Sequence, residues 1–123
     1  MAKPQGSELE LIQNAYAPLS DSELAIRWQL PPEKYDHPFR GENGILIGHA
    51  DPNGLRQTCP TMMEVYGCAW RSHGKRNMRY DTCHIILLDD DRGIERFGLT
   101  PRIVFRHAIG HCNGWPRDHP GAR

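Results

Sequence analysis

The sequence predicts one small α+β domain over residues 1–123. Three observations support this: an apolar run Cys83-His84-Ile85-Ile86-Leu87-Leu88, shorter candidate strands before it, and a helix with clear start and stop signals after it. Taking the chain in order, Leu24-Ala25-Ile26-Arg27-Trp28-Gln29-Leu30 alternates apolar and polar residues. Period two favours a strand there, although Ser20 and Glu23 also spell a capping box; strand is the expectation. Residues 31–44 carry three Pro and two Gly and read as loop with at most a short helix. Ile45-Leu46-Ile47 is a short strand ending in a turn at Asp51-Pro52-Asn53-Gly54, and Met63 to Trp70 is a strand with a bulge at Gly67. A polar, basic loop from Arg71 to Arg79 leads into Cys83–Leu88, whose apolar character places it in the sheet interior. Asp89-Asp90-Asp91-Arg92-Gly93 then turns the chain, and a solvated turn explains this acidic run better than a calcium site does.

The final helix is the best-defined element. Thr100 suits the N-cap, Pro101 the first turn and Gly114 a left-handed stop, while Ile103-Val104-Phe105 supply a face to bury. Residues four apart on a helix lie one above the other, so His107 and His111 can offer two imidazoles to one metal ion. The other histidines, His37, His49, His73 and His84, lack ligand spacing and are expected at the surface or in the core.

Composition narrows the function further. Lys plus Arg equals Asp plus Glu at 15 each, so net charge is zero and gives no electrostatic case for nucleic acid or an acidic membrane surface. No apolar run approaches a membrane span, and the start Met1-Ala2-Lys3-Pro4-Gln5-Gly6-Ser7 lacks the apolar core of a signal peptide; it suits the mature start of an exported protein. Four cysteines, Cys59, Cys68, Cys83 and Cys112, suit one or two disulfides in an oxidising compartment, hence a periplasmic or secreted monomer. Their pairing is not readable from spacing, and the alternative is four buried thiols.

His107-Ala108-Ile109-Gly110-His111 resembles the H-E-x-x-H motif of the zincin metallopeptidases, with Ala108 where that family has its catalytic Glu. The continuation Cys112-Asn113-Gly114-Trp115 is similar to the H-x-x-G extension of metzincins and of small snapalysin-like proteases. The resemblance covers about 20 of the 123 residues. It implies Zn²⁺, a small twisted mixed sheet with a zinc-binding active-site helix, and a peptide or protein substrate. It also implies a third ligand shortly after Gly114. In metzincins that ligand falls where this chain has Arg117, which cannot ligate, so the turn must be longer and His119, with Asp118 as the alternative, becomes the candidate. With His119 on the metal, Asp118 would orient an imidazole from behind.

In the family the Glu polarises water and carries its proton to the leaving amine. Alanine does neither, so this chain is expected to be an inactive form of a metalloendopeptidase. The alternatives are a non-catalytic zinc- or peptide-binding pseudopeptidase and a zinc hydrolase of a non-protein amide. An edge strand above the cleft would pair with extended substrate, and Met63 to Trp70, with Tyr66 and Gly67 as substrate-binding candidates, is the segment for it unless it forms an ordinary hairpin with Cys83–Leu88. The sequence runs four residues past His119, so no Met-turn or later Tyr is expected; Tyr66 and Tyr80 are the upstream candidates for stabilising an oxyanion.

Overall fold

A computed structural model describes residues 3–4, 6–41, 44–59, 66–72, 81–89, 91–96 and 98–123. Its centre is a three-stranded mixed sheet in the order β1-β3-β2. Strand β1 (Gly44–Ala50) runs parallel to β3 (Thr82–Leu88), with Gly44 opposite Thr82 and Ala50 opposite Leu88. Strand β2 (Gly67–Ser72) pairs antiparallel on the other side, with Gly67 opposite Leu87 and Ser72 opposite Thr82. The most apolar strand is therefore central, because a strand flanked on both sides in a covered sheet has no wet face to supply with polar residues. Cys83 and Ile85 are fully buried.

The helices are α1 (Ser7–Asn14), α2 (Asp21–Leu24), α3 (Pro52–Thr58), α4 (Asp91–Arg96) and α5 (Pro101–Cys112), with a 3₁₀ turn at Glu33–Tyr35. Helix α5 packs on β2 and β3, and its Ile103, Phe105, Ile109 and Cys112 are each at most 1% exposed. Two disulfides fasten the arrangement, Cys59–Cys68 and Cys83–Cys112. The second joins the central strand to the last residue of α5. Closing 29 residues of chain this way is worth about 3–4 kcal/mol on the chain-entropy model.

Several expectations are corrected. The strand over Leu24–Leu30 does not form, and the capping box wins instead. Ser20 accepts from Glu23 N, the Glu23 carboxylate accepts from Ser20 N at 3.1 Å, and α2 follows. Period two alone could not decide this, because a strand also needs a partner and Glu23 is held elsewhere, by Thr100 at 2.9 Å and by Arg102 on α5. The turn at Asp51-Pro52-Asn53-Gly54 is the start of α3, with Asp51 accepting from Gly54 N at 2.8 Å and Pro52 in the first turn. The same residue types serve turns and N-caps alike. Gly67 is not a bulge but the first residue of a regularly paired strand that continues past Trp70 through Arg71 to Ser72. Asp91 begins α4 rather than completing a turn. The amphipathic α1 carried no expectation. Met63 to Val65, residues 73–79 with His73, and Tyr80 lie outside the described residues.

Candidate metal centre

Helix α5 starts as its caps dictate: Thr100 Oγ1 accepts from Ile103 N at 3.3 Å, and Pro101 occupies the first turn. It stops at Gly114, whose φ of 108° is open to glycine, and Trp115 N returns to the Gly110 carbonyl at 3.0 Å. His119 then arrives through a tight turn, its N–H bonded to the Pro116 carbonyl at 3.0 Å and its own φ at 58°. The third imidazole is thus delivered by a left-handed residue. Alternation along an extended segment, which would have set Asp118 and His119 on opposite sides, is not how it comes about.

His107, His111 and His119 form the one group of three or more potential ligands among the described residues. Their Nε2 atoms make a nearly equilateral triangle: 3.2 Å from His107 to His111, 3.1 Å from His111 to His119 and 3.1 Å from His119 to His107. A tetrahedral ion bonded to imidazoles at about 2.0–2.1 Å sets its donors about 3.3–3.4 Å apart, close to the spacing here.

The opposite ring nitrogens bear on what that triangle could hold. His107 Nδ1 lies 2.7 Å from the Gln29 carbonyl, and His111 Nδ1 lies 2.9 Å from the Trp115 carbonyl. A carbonyl only accepts, so both Nδ1 atoms carry the proton and a neutral ring then turns a bare lone pair inward at Nε2. Burial pushes His107 down to about 3 despite the Gln29 carbonyl, and burial also lowers His111 and His119. Lone pairs 3.2 Å apart repel; a cation between them converts that repulsion into coordination. The group can therefore hold a metal ion without first expelling protons.

The carbonyls do what had been assigned to a carboxylate. Asp118 is exposed and outside the ligand group, and its charge acts only to oppose the burial effect on His119. Gln29, Trp115 and Pro31 carried no functional expectation. Trp115, 2% exposed, stacks on His111 with ring centres 4.8 Å apart and donates Nε1–H to the Pro120 carbonyl at 2.9 Å. Its position within the turn was the available signal. For Gln29 no local signal existed, because its main-chain oxygen is used and every residue has one.

The segment carrying Gln29 is fastened to α5 at several points. A Cβ on Gly110 would fall 2.3 Å from Pro31 Cγ, so the close approach of the two backbones depends on glycine there. Arg106 pairs with Asp36, and Asn113 Nδ2 donates to the carbonyls of Tyr35 (3.0 Å) and His37 (2.7 Å). Leu30 and Arg123 exchange main-chain bonds, at 3.3 Å to the Arg123 carbonyl and 2.9 Å from the Arg123 N–H.

Of the remaining candidates, Tyr66 stands edge-on to His107 with ring centres 5.9 Å apart and donates its hydroxyl proton to Gln29 Oε1 at 2.7 Å. Gly67 is buried against Ile86 and Leu87 of β3. Ala108 is 4% exposed and belongs to the core. His37, His49 and His84 stand outside the ligand group; His49 lies 3.6 Å from Glu8, and His84 stacks on Trp70 and meets Ser72 Oγ at 2.8 Å. Two disulfides are compatible with an oxidising compartment, and no helix among the described residues is long and apolar enough to cross a membrane. Compared with protein-family models, with curated proteins and with solved structures, the chain matches none of them.

Proposed function

We propose that this chain is a zinc-binding domain of the zincin metallopeptidase type, periplasmic or secreted, whose position 108 lacks the general base. The observation that carries the reading is the inward convergence of three imidazoles, two of them spaced i,i+4 on one capped helix. When bound, zinc supplies Lewis acidity toward a carbonyl and toward water.

The chain's own residues do the rest. Main-chain carbonyls of Gln29 and Trp115 fix the tautomers of His107 and His111, and the Cys83–Cys112 disulfide holds the helix on the sheet one residue past His111. Tyr66 stands beside His107 with a hydroxyl available for a developing oxyanion if it turns from Gln29. Position 108 is one residue from His107 and three from His111, so a carboxylate there would sit next to the ligand face and take a proton at its Oε atoms. Alanine leaves that proton without an acceptor. The alanine itself favours a second reading, a pseudopeptidase that holds zinc and peptide without cleaving.

Zinc content and Ala108→Glu test the proposal together. Elemental analysis after dialysis against trace zinc should give close to one ion per chain. Ala108→Glu should then bring peptide-bond cleavage in a broad peptide library, with a gain of about 10²–10⁴-fold over the alanine form. A metal-free protein sinks the zincin reading. Zinc retained without cleavage moves the assignment to the non-cleaving module or to a hydrolase of another amide.

A further inference from the structure

Beside the triad lies a cavity of about 340 Å³ walled by Trp28, Gln29, Tyr66, His107, His119 and Ala122. That volume is near the lower end for ligand sites, enough for one large side chain and the backbone carrying it. None of the six residues carries a fixed charge, so the walls offer a lysine or arginine side chain no counter-charge.

Trp28 is the unusual member. It is 73% exposed, the most exposed large hydrophobic residue among those described. Its φ is 70°, a region that bulky residues rarely enter. The backbone just beyond it is pinned: Gln29 N and Leu30 N both donate to the Arg123 carbonyl, and the Gln29 carbonyl holds His107. The left-handed turn at residue 28 therefore sets an indole at the cavity mouth on a support shared with a metal ligand. An indole in that place gives up the burial that ordinarily rewards aromatic residues, unless a ligand covers it.

We propose that Trp28 is a specificity-determining residue, forming one wall of a pocket that takes an aromatic or large apolar side chain of a peptide held at the metal centre. The proposal rests on the metallopeptidase reading. The indole supplies an apolar face, while the hydrogen bond from Tyr66 to the Gln29 side chain ties the two residues of the opposite wall together.

The test uses the chain with alanine at 108, loaded with zinc, so that nothing is cleaved. Acetohydroxamic acid and 3-phenylpropanohydroxamic acid carry the same metal-binding group and differ in the phenyl side chain. Titration should give about tenfold tighter binding of the phenyl compound and, with it alone, a blue shift of the tryptophan emission that Trp28→Ala abolishes. In Trp28→Ala the ratio should fall to about one, and Trp28→Phe should keep most of it, with zinc content measured in every sample. Equal affinities in the unaltered chain, or a preference surviving in Trp28→Ala, overturn this inference and leave the metal centre standing. Failure of both compounds to bind a chain that holds one zinc overturns the inference together with the reading beneath it.

Discussion

Residues 100–119 and residues 28–37 both shape the candidate metal centre, and they are held in place by different means. The first stretch is largely self-supporting: a cap at Thr100, a helix to Cys112, a glycine stop and a turn that returns His119 to His111. The second has one 3₁₀ turn and otherwise no regular structure, yet it supplies the carbonyl that sets His107. It keeps its place through contacts with partners far along the chain, among them Arg106 to Asp36 (70 apart), Asn113 to His37 (76 apart) and Arg123 to the Pro31 carbonyl at 2.8 Å (92 apart). Ligands come from a local device, and their orientation comes from a distant one. Ligand changes should therefore strike metal binding directly, whereas changes in the distant contacts should strike stability first.

The largest effect tests the ligand half. His119→Ala should weaken zinc binding by more than about 100-fold, beyond the usual 10–100-fold cost of losing a supporting group. Asp118→Asn should change it by less than about threefold, because the carboxylate is exposed and main-chain carbonyls hold the other rings. Competition with a chelator measures both. A larger loss from Asp118→Asn would mean that the carboxylate, not the turn, organises the third ligand.

The next tests how α5 is joined to the upstream chain. Glu23 bonds Arg102 and Thr100, and the Arg102 guanidinium beside it holds its carboxyl down from 4.5 to about 2, against the opposing effect of burial. A depressed carboxyl contributes stability above its unfolded value, so this contribution should be intact above about pH 4.5 and fade as pH falls toward about 2. Glu23→Gln, which leaves Arg102 without its counter-charge, should cost about 3 kcal/mol at neutral pH in denaturant unfolding. The variant should lose less further stability than the parent between pH 4.5 and pH 2. Parallel curves for the two proteins would refute the assignment.

The smallest expected effect probes the seam between the two stretches. Gly110→Ala puts a methyl 2.3 Å from Pro31 Cγ and should cost about 1–3 kcal/mol by overpacking, less what alanine gains within a helix. The shift of Pro31 should carry Gln29 with it and weaken zinc binding modestly. An unchanged denaturation midpoint would show that the seam is looser than its geometry implies.

The chain's local chemistry determined a good deal unaided. Caps and glycine bounded α5, the i,i+4 spacing put His107 and His111 on one face, and the apolar run Cys83–Leu88 marked the central strand. Each depends on interactions within a few residues, where pattern and geometry coincide. Tertiary structure decided what depends on partners far along the chain. Residues 24–30 had the period of a strand, but no strand among the described residues pairs with them, and Glu23 gained more from its capping box and Arg102. The pairings Cys59–Cys68 and Cys83–Cys112, and the pocket that brings Trp28 and Tyr66 to His107, likewise needed the folded chain. Spacing in sequence carries no information on distances closed by packing, and a main-chain carbonyl such as that of Gln29 leaves no mark in residue identity.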